Sequence, residues 1–175
     1  MSQDGRAGAR AAQTLAGADA SDACWYVRAA GEEDVVEVAS AVAELLRELG
    51  GMPPAPDAMR AAAHALLSDG DTGAILVAEA QGALIGVLAA SWQTAIHVPG
   101  RYALIQDLWV HRSWRSRAIG ADLLAALCEL ARTRQIGRVE VGLPQEHFAR
   151  VRDTESFYRG NGFVALGPRM RLVLE

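Results

Sequence analysis

The chain has 175 residues and a mass of 18.6 kDa, a length that suits one folded domain with a substantial core and leaves two unrelated domains cramped. Its 51% hydrophobic and 22% charged residues, with Gly 17, Pro 6 and Cys 2, exclude a collagenous, disordered or disulfide-stapled chain. The net charge of −4 gives no support to nucleic-acid binding through a basic surface.

The charge is unevenly spread. Residues 1–100 carry 5 Arg against 13 Asp and Glu, while residues 101–175 carry 12 Arg against 8, so the second part should attract an anion. Cys24 and Cys128 stand alone, without the spacing of a zinc site or a disulfide framework, which predicts no metal and a reducing, cytoplasmic setting. No stretch approaches the roughly 20 apolar residues that span a bilayer, so no membrane partner is expected. Residues 1–23 lack the apolar segment of a signal peptide and read as a mobile tail of small residues, with the folded unit over 24–175.

In chain order, Trp25 to Ala29 mixes aromatic and branched residues and predicts a strand. From Glu32 the apolar residues Val35, Val38, Val42, Leu45, Leu46 and Leu49 recur at helical spacing until Gly50-Gly51. A Pro-stiffened loop follows, and Asp57 is placed to cap a short helix through Met59, Ala63 and Leu67. Two apolar runs, AILVAEA and ALIGVLAASW, meet at Gln81-Gly82 and predict a hairpin. Tyr102 to Val110 is a further strand, followed by a helix carrying Leu123, Leu124, Leu127 and Leu130 and ended by Arg134 and Gly137. A strand at 138–143, a short helix from Asp153 to Arg159 and a closing strand or hairpin from Phe163 complete an α/β protein with a mixed sheet.

The chemistry concentrates in Leu108 to Gly120, LWVHRSWRSRAIG, which joins a strand to a helix and holds Arg112, Arg115 and Arg117 with no acidic residue. Amides at a helix start lack internal partners and carry the positive end of the dipole, so a phosphate or pyrophosphate binds there readily. An ordinary connecting loop with solvated arginines is the competing reading. Neither GxxxxGK[ST] nor GxGxxG is present, which argues against a nucleoside triphosphatase or a dinucleotide enzyme.

Three segments together resemble the GNAT superfamily of acyl-CoA-dependent N-acetyltransferases. Arg115-Ser116-Arg117-Ala118-Ile119-Gly120 is similar to the family's Q/R-x-x-G-x-G/A loop, with Ala118 in place of the first glycine. Phe157 to Phe163 resembles its FYxxxGF signature, and Val77-Ala78-Glu79 with Gly82 and Gly86 its VAExxGxxxG hairpin. The resemblance runs from about Trp25 to the end. It implies a mixed, mostly antiparallel sheet splayed at its central strands with helices on both faces, and acetyl-CoA as cosubstrate. The backbone of Leu108, Trp109 and Val110 would pair with pantetheine, and the amides and side chains of Arg115, Ser116, Arg117, Ala118, Ile119 and Gly120 would grip the pyrophosphate.

The family's reaction is direct attack of a free amine on the thioester carbonyl, and the resemblance carries the proton-donor role for the departing thiolate to Tyr158. Ile105-Gln106-Asp107-Leu108-Trp109-Val110 is similar to the I-E-D strand of the polyamine and amino-sugar-phosphate branch, with Gln106 in place of the glutamate. An amide takes up no proton at neutral pH. Asp107 is the remaining carboxylate, serving directly, through water, as a binding group for a cationic amine, or only structurally. His111, Glu140 and Glu79 are weaker candidates for the base. The acceptor expected is a small-molecule amine. A protein lysine or N-terminus is the alternative, and a non-catalytic acyl-CoA sensor is the other. Trp109, Trp114 and a C-terminal edge strand would offer a homodimer face.

Overall fold

The computed structural model describes residues 24–145 and 148–167, so the tail expected over 1–23 and most of the closing strand lie outside the described residues. The sheet runs in chain order through β1 (Tyr26–Ala29), β2 (Gly73–Ala80), β3 (Ala83–Ala95), β4 (Val98–Val110) and β5 (Val139–Val141). Neighbours are antiparallel except β4 and β5, which are parallel. Helices α1 (Val35–Glu48) and α2 (Pro56–Ser68) cover one face, where Val38 and Ala41 pack with Ile75, Val77, Val87 and Trp109. Helices α3 (Ile119–Thr133) and α4 (Val151–Gly160) cover the other, where Leu123, Leu127 and Tyr158 pack with Leu88, Ala90 and Ile105.

Local chemistry sets most boundaries. Gln81 and Gly82 both have positive φ, 53° and 73°, the pairing of a two-residue hairpin turn that matches strand twist. Gly50 ends α1 at φ 80°, with Gly51 N–H donating back to the Leu46 carbonyl at 2.9 Å. Four expectations are corrected. The helix expected from Glu32 begins as a single 3-10 turn, Glu32–Asp34, because the Asp34 side chain is drawn inward. Pro56 starts α2 with Ala55 at the cap, since its fixed φ suits a first turn, so Asp57 lies inside the helix. The left-handed residue after α3 is Gln135 (φ 58°), not Gly137, because Ile136 N–H reaches back to the Ala131 carbonyl. Residues 163–167 form no strand.

Arg28 ties β1 to its surroundings. Its Nη1 and Nη2 donate to the two oxygens of Asp34 at 2.6 and 2.9 Å, and its Nε and Nη2 donate to Glu79 Oε2 at 3.1 and 3.0 Å. Asp34 is the buried charge at the centre, also accepting from Gly31 N–H at 2.7 Å. The Arg28 guanidinium holds the Asp34 carboxyl below the usual carboxylate range, against burial, with the Gly31 amide adding to the effect.

Two features of β4 create the site. Pairing with β5 covers only Ala103, Leu104 and Ile105, so residues 106–110 keep β3 on one edge and, among the described residues, have no strand on the other. A bulge between Ala89 and Ala90 leaves Gln106 without a partner on β3, and side-chain alternation slips by one residue there. Ile105, Leu108 and Val110 therefore all lie towards α3, whereas Trp109 packs under α1. Asp107, two residues before Trp109, shares the α1 side.

Candidate active site

Where β4 and β5 part, a cavity of ≈ 540 Å³ opens, walled by Gln106, Leu108 and Val110 of β4, by the stretch from Trp114 to Ala121 apart from Arg117, by the α1 residue Glu48, and by Tyr158 of α4. Polar backbone lines it in two places. His111 N–H donates to the Ile85 carbonyl, which fixes the phase of the β3–β4 ladder and points the peptide groups of Leu108 and Val110 away from β3, into the gap. Those of Trp109 face Val87 instead and are used within the sheet, so the three residues expected to pair with a ligand divide two to one.

The second polar stretch is the loop. Ser116 and Ala118 both adopt left-handed backbone, φ 63° and 66°, which turns the chain sharply into α3. Asp122 N–H is the first to bond back, to the Ala118 carbonyl, so the amides of Ile119, Gly120 and Ala121 precede the helix's own hydrogen bonding and sit on the cavity wall. Gly120 keeps this contact close: a Cβ there would stand 3.1 Å from the Phe157 ring of α4, so the ring would have to shift slightly to admit one. The loop arginines are disposed differently from one another. Arg117 lies over the Trp114 ring at 5.0 Å, Arg112 is exposed, and Arg115 turns to α1, where it meets Glu48.

Tyr158 is held by the end of its own helix. Gly162 (φ 87°) is the left-handed residue after α4, and Phe163 N–H donates back to the Tyr158 carbonyl at 3.0 Å. That closure lays the Phe163 ring edge-on to Tyr158 at 5.3 Å, with Phe157 on another side at 5.2 Å. The Phe-Tyr-x-x-x-Gly-Phe spacing is thus a helix-ending motif that clamps one phenol. Tyr158 is 6% exposed, and its hydroxyl has no hydrogen-bond partner among the described residues. Burial pushes its pKa up to about 12, so it is a proton donor across the neutral range.

Asp107 is half-buried, with no hydrogen bond or ion pair among the described residues, and its partial loss of solvent raises its pKa above the ordinary carboxylate value. It does not wall the cavity, while its neighbour Gln106 does and donates from Nε2 to Ser91 Oγ at 2.8 Å. The other candidate carboxylates are occupied: Glu79 is held by Arg28, and Glu140 is ion-paired with Arg138, Oε1 to Nε 2.9 Å. His111 accepts from Ser113 N–H at 3.3 Å through Nδ1. Glu48 was not singled out from the sequence, because its partner Arg115 lies 67 residues away.

A family model described as "Acetyltransferase (GNAT) family" matches residues 39–163, which is most of the chain. The chain belongs to the GNAT acetyltransferase family. It is an acetyl-CoA-dependent N-acetyltransferase. No curated protein matches it in sequence. Among solved structures, this GNAT protein is similar to AAC(6')-Iy in complex with the bisubstrate analogue CoA-S-monomethyl-acetylneamine, with TM-score 0.73 at 16% identity, covering 87% of this chain and 99% of that one. It is also similar to a ribosomal-protein-alanine N-acetyltransferase from Brucella melitensis biovar Abortus 2308, with TM-score 0.68 at 18% identity over 87% and 100% of the two chains. A Trypanosoma brucei acetyltransferase gives TM-score 0.64 at 25% identity over 86% and 100%. Among the described residues no helix is long and apolar enough to cross a membrane, and no group of three or more His, Cys, Asp or Glu could hold a metal ion.

The left-handed Ala118 of this GNAT loop stands where the family pattern has glycine, and it makes the strain measurable. A side chain at positive φ costs about 1–2 kcal/mol, and glycine would relieve this at an unfolded-state cost of about 0.4–1 kcal/mol. Ala118→Gly is therefore expected to stabilise the protein by about 0.5 kcal/mol in thermal unfolding and to leave CoA affinity unchanged. A clear loss of stability would show that Ala118 is not left-handed in solution.

Proposed function

We propose that this GNAT acetyltransferase acetylates a primary amine carried by a small cationic molecule, with Tyr158 as proton donor to the leaving sulfur and Asp107 as the negative group that draws in the ammonium and accepts its proton through water. Acetyl-CoA brings the acetyl group activated as a thioester. The observation that carries this reading is the cavity at the splay, which joins the unpaired edge of β4, the amide-lined start of α3 and the Tyr158 phenol in one space.

The residues present suit an extended acyl carrier ending in a pyrophosphate. Leu108 and Val110 offer peptide N–H groups on the open edge, and the amides from Ser116 to Gly120 would neutralise phosphate oxygens at the helix start. Arg117 and Arg112 add positive charge nearby. As the amine attacks the carbonyl carbon and the carbon–sulfur bond breaks, Tyr158 gives its phenolic proton to the thiolate. The ammonium proton leaves on the opposite side, towards Asp107. A half-buried carboxyl with a raised pKa is a better base than an ordinary aspartate. As pH is lowered, kcat/KM should therefore begin to fall at a higher pH than an ordinary aspartate would give.

A panel of amines tests the reading: diamines and amino sugars, uncharged or anionic amines, and peptides with a free N-terminus or lysine. Small cationic amines should be turned over fastest, and Asp107→Asn should remove that preference and the acidic limb of the pH profile. The same change should raise the melting temperature slightly, because a half-buried charge without a protein partner among the described residues is lost. Faster turnover of neutral amines or of peptides would overturn the acceptor assignment.

A further inference from the structure

Arg115 begins the loop that would hold the pyrophosphate, yet its guanidinium is already engaged. Nη2 donates to both oxygens of Glu48 at 2.7 Å, and Nε donates to the Val110 carbonyl at 2.9 Å. Glu48 is the last residue of α1 and Val110 the last of β4, and all three residues wall the cavity. One side chain therefore joins the end of a helix, the end of the splayed strand and the start of the loop. The two charged side chains are about one-third exposed, 30% for Arg115 and 31% for Glu48, so the pair is partly sheltered from solvent.

The electrostatics distinguish two roles. A free Glu48 beside an anion site would repel phosphate, and a free Arg115 would attract it; paired, they largely cancel. What remains is geometry. Arg115 itself is extended (φ −66°, ψ 159°) and is followed by the left-handed Ser116 and Ala118, so a fixed Arg115 sets where that double turn starts. By consuming the Val110 carbonyl, the same side chain leaves the Val110 N–H as that residue's only open polar group on the free edge.

We propose that Glu48 and Arg115 are positioning residues: a strut from α1 that holds the loop amides in register with the open edge of β4, with Arg115 bound to protein and not to phosphate. The proposal rests on the acetyl-CoA part of the functional reading and is independent of the acceptor. It goes beyond that reading in assigning a role to Glu48.

The test is calorimetric titration of CoA into the full chain and its Glu48→Gln and Arg115→Lys variants, with initial rates in acetyl-CoA on the best amine. Glu48→Gln is nearly isosteric and removes one charge; it should weaken CoA by about three- to tenfold, the size expected for a bidentate, partly sheltered ion pair. The KM for acetyl-CoA should rise by the same factor while kcat at saturation stays within about twofold. Arg115→Lys keeps the charge at Glu48 but cannot also bridge to Val110, and should give an intermediate loss. Tighter CoA binding in Glu48→Gln would overturn the strut, because it would mean that Glu48 competes with phosphate for Arg115. So would a fall in kcat with KM unchanged, or an unaltered CoA affinity. Calorimetry needs no acceptor, so an error in the acceptor class leaves this readout intact.

Discussion

Replacing Tyr158 by Phe is expected to lower kcat roughly 100-fold, within the range that a positioned proton donor contributes, while CoA affinity stays within about twofold. The hydroxyl has no protein partner among the described residues, so its removal strands no donor or acceptor. The ring contacts with Phe157 and Phe163 are kept, since both are made by the aromatic face and edge. The variant should accordingly fold and melt like the parent. Because the phenol is pushed up to about 12, Tyr158 stays protonated well beyond neutrality, and any basic limb of the wild-type pH profile below about pH 10 belongs to another group. Rates at saturating acetyl-CoA and amine, with CoA affinity measured separately, decide the matter. An unchanged kcat would remove Tyr158 from the proton path and leave it as a packing residue.

The largest expected loss of stability comes from Arg28→Ala. Asp34 is 6% exposed and, among the described residues, has only Arg28 and the Gly31 amide to balance its charge, so the substitution leaves a buried carboxylate without its main partner. Breaking such a pair costs about 3–5 kcal/mol when fully buried; with the Arg28 side chain 34% exposed, about 3 kcal/mol is expected. For a chain of this length that is a fall in Tm of about 6–12 °C. The pH dependence has a definite sign. The folded-state pKa of Asp34 is lowered, so the pair's contribution is fully present above the unfolded value near 3.9 and is lost as pH falls through the folded one. Wild type and variant should therefore differ most at neutral pH and converge below about pH 4. A difference of less than about 1 kcal/mol at pH 7 would show that solvent already screens the pair.

The sequence made the element order legible because its signals are local. Apolar spacing marks α1 and α3, Gln81-Gly82 marks the hairpin, and Gly162 with Phe163 marks the end of α4. The strand-to-helix segment from Leu108 to Gly120 and the phenol of Tyr158 could both be singled out from the sequence, and residues of both wall one cavity. Four features were not legible. The bulge at Gln106 depends on how β3 and β4 align, and no residue type announces it. The Arg115–Glu48 pair joins residues 67 apart, and the Arg28–Glu79 contact joins residues 51 apart, so each exists only once the helices and strands have packed. Which of three successive backbone units faces the gap follows from ladder phase, which sequence does not state.

The slip at Gln106 has a consequence for how this strand can change over time. Because one unpaired residue decides on which side of the sheet Asp107 and Trp109 emerge, the stretch between Ile105 and Val110 can exchange side chains freely but cannot gain or lose a position. Removing one residue would carry the carboxylate and the indole to the α3 side and move Leu108 and Val110 out of the gap. Diversification along β4 in this protein therefore has to proceed by replacement of side chains at constant strand length.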